Sequence, residues 1–185
     1  MSPLSAKSPR ETVAFSAQRF PDNEALHIPF QACADYSSEP VSLTYRQLDQ
    51  AITEATSLWQ GTGISGRVAL VCENRVEFLI HWLALNALGL SVIPINQEMP
   101  DQEIPYYLEH GEAVAVCTLA KHLERFTEIC ATHELDIPVV NCDSISTLSL
   151  GSSIEQPAPD PEAECALLYT SGSTGKPKGC ILSND

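Results

Sequence analysis

Between Arg67 and Val140 the chain repeats one arrangement: a short segment that is apolar almost throughout, then a longer stretch with helical spacing. The short segments are Arg67–Cys72, Ser91–Ile95, Ala113–Cys117 and Ile137–Val140. The intervening stretches are Arg75–Leu88, closed by Gly89, Asp101–His110, closed by Gly111, and Lys121–His133. A strand with one face in water alternates apolar and polar residues; these do not alternate, so each is expected to be buried on both faces. Apolar strands separated by helices specify an α/β fold, a parallel sheet with helices on both faces and right-handed crossovers. A chain of 185 residues is long enough to bury roughly 70% of its unfolded surface, sufficient for one substantial core.

The flanking segments are read by local signals. Residues 1–9 form a polar leader, Glu11–Phe20 an amphipathic helix stopped before Pro21, Glu24–Ile28 a strand, and Gln31–Pro40 turns. Thr44 and Gln47 have capping-box spacing, and Leu48, Ala51, Ile52, Ala55, Leu58 and Trp59 then recur at helical spacing as far as Gly61. Trp59 and Trp82 fall on apolar helix faces and belong to the core. Glu73-Asn74-Arg75 follows a strand end, where α/β proteins place ligands, but a helix start explains it more simply. Asp143–Ala163, rich in Ser and Pro, reads as an extended connection.

The formal net charge of −14 argues against binding nucleic acid or an anionic membrane surface. The longest apolar run, Phe78–Ile95, is interrupted by His81, Asn86, Gly89 and Pro94 and is not expected to span a membrane. Seven cysteines, an odd number with no C-x-x-C, fit free thiols in a reducing cytoplasm. Cys117, His122, Cys130, His133 and Cys142 match no standard zinc spacing and read as buried cysteines with surface histidines.

The segment that carries chemistry comes last. The apolar run Cys165–Tyr169 breaks into Thr170-Ser171-Gly172-Ser173-Thr174-Gly175-Lys176-Pro177-Lys178-Gly179. Hydroxyl donors, permissive glycines and two lysines in an acidic chain suit a polyphosphate, whose oxygens need converging donors. The loop is not a Walker loop: two residues separate Gly172 from Gly175, and Pro177 stands where a magnesium-binding Ser or Thr is required. It is not a Rossmann turn either, because Cys180-Ile181-Leu182 reads as the start of a strand rather than a helix. From composition alone, a phosphate loop and an unliganded Gly/Ser linker remain about equally acceptable.

The string Tyr169–Gly179 resembles the signature loop of the adenylate-forming (AMP-binding) superfamily, which includes acyl-CoA synthetases, luciferases and peptide-synthetase adenylation domains. Leu43-Thr44-Tyr45-Arg46-Gln47-Leu48, Ala87–Asn96 and Arg19–Leu26 resemble upstream segments of that family in the same order. The resemblance runs from about Arg10 to Asp185 and implies the N-terminal part of the large domain of such an enzyme. It implies residues 1–142 as an α/β subdomain, 143–163 as a linker and 164–185 as the start of the next subdomain.

By the same resemblance, Thr170, Ser171, Gly172, Ser173, Thr174, Gly175 and Lys178 contact the β- and γ-phosphates of ATP with Mg2+ assisting. Lys176 falls at a variable family position. No catalytic residue and no metal ligand is assigned. The expected parent activates a carboxylic acid as an acyl-adenylate and passes it to a thiol, CoA above others, since Asn96 stands where peptide-synthetase domains usually carry aspartate. The later adenine, ribose and hinge segments and the C-terminal domain are missing partners of the loop, so the chain alone is expected to be inactive and its loop among the least ordered segments. Two alternatives remain: a peptide-synthetase-type adenylation domain, and a short non-catalytic nucleotide-binding protein.

Overall fold

The computed structural model describes residues 8–143, 158, 160–170 and 177–184. The first layer begins with α1 (Pro9–Arg19), whose Ser8 hydroxyl accepts from Glu11 N–H at 3.3 Å. This cap with Pro9 at the first helical position explains why the helix starts two residues before the expected Glu11. The hairpin β1 (Glu24–Ile28) and β2 (Val41–Thr44) encloses a short helix, α2 (Phe30–Cys33), where only turns were expected. Then α3 (Tyr45–Gln60) carries the complete capping box: Thr44 Oγ1 accepts from Gln47 N–H, and Gln47 Oε1 accepts from Thr44 N–H.

The main sheet has the strand order β6-β5-β3-β4-β7-β8. Its members are β3 (Arg67–Val71), β4 (Ser91–Pro94), β5 (Ala113–Thr118), β6 (Val139–Asn141), β7 (Glu164–Thr170) and β8 (Lys178–Ser183). All neighbours are parallel except the terminal pair β7–β8. The crossovers are α4 (Val76–Ala87), α5 (Ile104–His110) and α6 (Leu123–Thr132), the last entered through a 3-10 turn at Ala120–His122.

The strand order dictates the layers. The step from β3 to β4 goes one way along the sheet, and the step from β4 to β5 returns past β3. Crossovers of one hand then put α4 and α5 on opposite faces. The cores agree: Val68, Leu70 and Cys72 join Leu48, Ile52, Trp59, Leu83 and Leu85 on one face. Ala69, Val71 and Ile93 join Ile104, Leu108, Phe126 and Ile129 on the other. Adjacent residues of β3 therefore serve different cores, which is why its sequence shows no polar alternation.

Helix ends follow from backbone geometry. Gly89 (φ 71°) ends α4 with Leu90 N–H donating to Leu85 O at 3.0 Å, a Schellman closure that needs a left-handed residue. Gly111 is different. It keeps a right-handed conformation, and the left-handed residue is Glu112 (φ 51°). Glycine is required at 111 by packing, since a Cβ there would lie 2.6 Å from both Ile93 Cδ1 and Tyr107 O.

Few polar side chains are buried, and most of them bond within the core, with Ser91 Oγ an exception. Trp59 Nε1–H donates to His81 Nδ1 at 3.1 Å, and His81 Nε2 lies 3.1 Å from the Cys142 carbonyl. With Nδ1 accepting, the ring proton belongs on Nε2 and donates to that carbonyl. Burial holds the His81 pKa below its ordinary value, so the neutral ring is the native form. No helix among the described residues is long and apolar enough to cross a membrane.

Candidate functional site

Because β3, β4, β5 and β7 run parallel, Val71, Pro94, Thr118 and Thr170 end at the same edge of the sheet. In open α/β sheets this carboxyl edge is where ligands bind. β8 returns antiparallel to β7, so its first residue lies at that edge too. Thr170 pairs in register with Lys178, and Tyr169 with Gly179. The sequence-predicted Thr170 and Lys178 thus stand opposite each other at the mouth of a hairpin. Ser171, Gly172, Ser173, Thr174 and Gly175, with Lys176, lie outside the described residues, as does the expectation about their order. Lys178 is exposed, and none of the ion pairs among the described residues engages it. Its charge is therefore available to an anion.

The hairpin base is packed tightly. A Cβ on Gly179 would come within 2.9 Å of Leu167 Cδ1 and 3.6 Å of Tyr169 Cε1. The side chain of β7 covers the missing one on β8. On the other side the base rests on α5. Tyr169 packs edge-on against Tyr107, ring centroids 4.6 Å apart, and its hydroxyl shares a 2.8 Å hydrogen bond with His110 Nδ1. Burial raises the Tyr169 pKa, with Tyr106 adding to the effect, which keeps the phenol neutral. Tyr106 donates its hydroxyl to the Pro177 carbonyl at 3.0 Å. The signal that would have revealed this face was present: Tyr106 and His110 are four residues apart, one above the other on a helix.

Other candidates resolve structurally. Glu73 does not cap α4; it pairs with Lys121 and with His122, at 3.5 Å from the latter's Nε2. Burial, the largest single influence, pushes the Glu73 carboxyl up, but Lys121 and, after it, His122 outweigh burial and hold the carboxyl below its usual range. Arg75 stacks over the Tyr36 ring at 4.2 Å. Cys117 and Cys142 lie in the core on one side of the sheet and Cys130 in the core on the other, so the cysteine and histidine positions considered for zinc do not converge. Asn96 caps its own turn, accepting from Glu98 N–H at 2.9 Å. An aspartate at this position can accept the same bond.

The AMP-binding enzyme family model matches residues 13–185, nearly the whole chain and including the hairpin. The chain belongs to the AMP-binding enzyme family. Its fold is that of the N-terminal part of adenylate-forming enzymes. It superposes with a TM-score of 0.77 on the N-terminal domain of FACL13 from Mycobacterium tuberculosis, at 23% identity, covering 97% of this chain and 45% of that one. The fatty acyl-adenylate ligase from L. pneumophila, solved with acyl adenylate and pyrophosphate, gives 0.77 at 25% identity, covering 98% of this chain and 31% of that one. Among curated relatives, tyrocidine synthase 2 of Brevibacillus parabrevis is 26% identical over 170 residues, 91% of this chain and 4% of its own length. The chain therefore spans less than half of each of these relatives, and both acyl ligases and peptide synthetases are among them.

Proposed function

We propose that this chain is the N-terminal part of an ATP-dependent acid–thiol ligase, and that Thr170, Ser171, Gly172, Ser173, Thr174, Gly175 and Lys178 bind the β- and γ-phosphates of ATP. The observation that carries this reading is the hairpin mouth. Thr170 and Lys178 face each other at the carboxyl edge of the sheet, so a run of hydroxyls and glycines must span the gap between them. Hydroxyl and backbone donors there offset the charge of the leaving pyrophosphate, and Lys178 adds a full positive charge. None of these residues is a nucleophile or general base; their work is to orient the polyphosphate and hold its charge. Mg2+ enters as the ATP chelate, and no residue of this chain is assigned as its ligand.

The acid and thiol sites lie outside residues 1–185 in this reading, so the isolated chain is inactive. We read 164–185 as the beginning of the following subdomain and 143–163 as the link to it, although the hairpin is hydrogen-bonded into the sheet of residues 1–142. CoA is the proposed thiol. The seven free cysteines support a reducing, cytoplasmic setting. The similarity to tyrocidine synthase 2 favours a second reading, a peptide-synthetase-type adenylation domain loading a carrier thiol.

ATP–pyrophosphate exchange by the full-length polypeptide carrying this segment, across a panel of carboxylic acids, tests the proposal. Acid-dependent exchange is expected from the full protein and none from the 185-residue chain. Acid-dependent exchange by the short chain would refute the need for the remainder. Thioester formation on free CoA, against transfer only to a carrier protein, decides between the two readings.

A further inference from the structure

We propose that Tyr106 is a positioning residue for the phosphate loop, setting the exit of the loop from a rigid helix, with His110 and Tyr107 holding its entry. The inference rests on the phosphate-binding reading above.

The exit of the loop is where control is needed. Pro177 has no N–H, so its carbonyl is its one backbone hydrogen-bonding group. It lies one residue beyond the last register pair, Thr170 with Lys178, where the β7–β8 ladder no longer fixes the chain. The Tyr106 hydroxyl binds that carbonyl at 3.0 Å. Fixing Pro177 fixes the direction from which the chain enters Lys178, the one described cation of the loop. The entry is held from the same helix: His110 shares its bond with the Tyr169 hydroxyl, and Tyr107 packs on the Tyr169 ring. One helix face thus grips both legs of the hairpin, one residue before Thr170 and one residue before Lys178.

A brace works only if it does not move. α5 is anchored by buried Ile104, Pro105 and Leu108. Its entry is tied to α6 by Arg125, which donates to the Met99 carbonyl at 2.6 Å and, through Nε, to Asp101 Oδ1 at 2.8 Å. Its exit is tied to β3 by Arg67, which donates to the Gly111 carbonyl at 3.2 Å, and packed under Ile93 by the absence of a Cβ on Gly111. Tyr106 sits between these anchors, with its ring 5.1 Å from that of His110. The hydroxyl gives the phenol a geometric task that a phenylalanine, equal in packing, does not perform.

The test is Tyr106→Phe in the full-length protein, read as ATP–pyrophosphate exchange with ATP varied, beside pyrophosphate inhibition and thermal unfolding. Loss of one neutral hydrogen bond that positions a ligand loop is expected to raise the KM for ATP about three- to tenfold, with an unchanged unfolding midpoint and little change in kcat. His110→Gln, which keeps a hydrogen-bonding side chain toward Tyr169, is expected to raise it less than His110→Ala. A merely structural role lowers the active fraction and so reduces kcat at unchanged KM; that outcome, or a KM equal to wild type, overturns the inference. Lys178→Ala separates the two levels of the argument. If it leaves the KM for ATP unaltered, the phosphate reading itself fails; if it raises KM while Tyr106→Phe does not, only the positioning role fails.

Discussion

The strand that delivers the loop is held by an ion pair whose removal has a calculable effect. Arg67 of β3 reaches across β4 to Glu164 at the start of β7, donating from Nε at 2.6 Å and from Nη2 at 2.9 Å. The side chains are 21% and 26% exposed, so solvent screens the pair only in part. Hydrogen bonds to charged groups contribute about 1.5–3 kcal/mol when sheltered, and exposed pairs about 0.2–1 kcal/mol. This bidentate, half-sheltered pair falls between, and we expect a coupling of about 1–2 kcal/mol in a double-mutant cycle of Arg67→Met and Glu164→Gln. At about 2–4 °C per kcal/mol for a domain of this size, Glu164→Gln should lower the Tm by roughly 2–8 °C.

The sign with pH is fixed. The Arg67 guanidinium holds the Glu164 carboxyl below its usual range. The folded form therefore binds fewer protons than the unfolded form once pH drops below about 4.3, the ordinary Glu value. The contribution is complete above that pH and is lost as pH falls through the lower folded value. Urea unfolding of the wild type and the three variants at pH 7, and at steps below pH 5, measures both effects. A coupling under about 0.3 kcal/mol at pH 7 would refute the claim that this pair anchors β7.

Three further outcomes follow from single sites. Gly111→Ala places a methyl 2.6 Å from Ile93 Cδ1 and Tyr107 O; it should destabilise by about 1–3 kcal/mol in chemical denaturation, a typical overpacking effect. Because burial lowers the His81 pKa, unfolded chains take up protons first as pH drops below about 6.5, so stability should fall from there and His81→Gln should flatten that part of the profile. Of the seven free thiols, Cys180 is exposed and Cys33, Cys72, Cys117, Cys130 and Cys142 are buried; alkylation with mass mapping should modify Cys180 first and the buried five only with unfolding.

The sheet strands were legible because burial on both faces leaves continuous apolar runs, and α3 because Thr44 and Gln47 form a cap with local chemistry. Strand order was not legible: that β4 lies between β3 and β7 depends on which face each crossover helix covers, a matter of three-dimensional packing. Boundaries slipped where backbone chemistry intervened. The strand expected from Ile137 begins at Val139, after Pro138, which has no N–H for the ladder. The helix expected from Asp101 begins at Ile104, because Pro105 has no N–H to donate to the Asp101 carbonyl and so must lie in the first turn.

At the site, Thr170 and Lys178 were named from the sequence and the structure sets them in register. The spacing of Tyr106 and His110 marks one helix face in the sequence, but what that face grips is set only when β7 and β8 fold against it.

The central claim is that the hairpin between Thr170 and Lys178 holds the polyphosphate of ATP during acid activation. Acid-dependent ATP–pyrophosphate exchange by the full-length protein, compared with Lys178→Ala, tests it most directly. The account predicts that the variant folds with an unaltered melting temperature and exchanges at least about tenfold more slowly at subsaturating ATP, the loss expected for one charge-assisted contact. Exchange at the wild-type rate, with wild-type dependence on ATP, would contradict it.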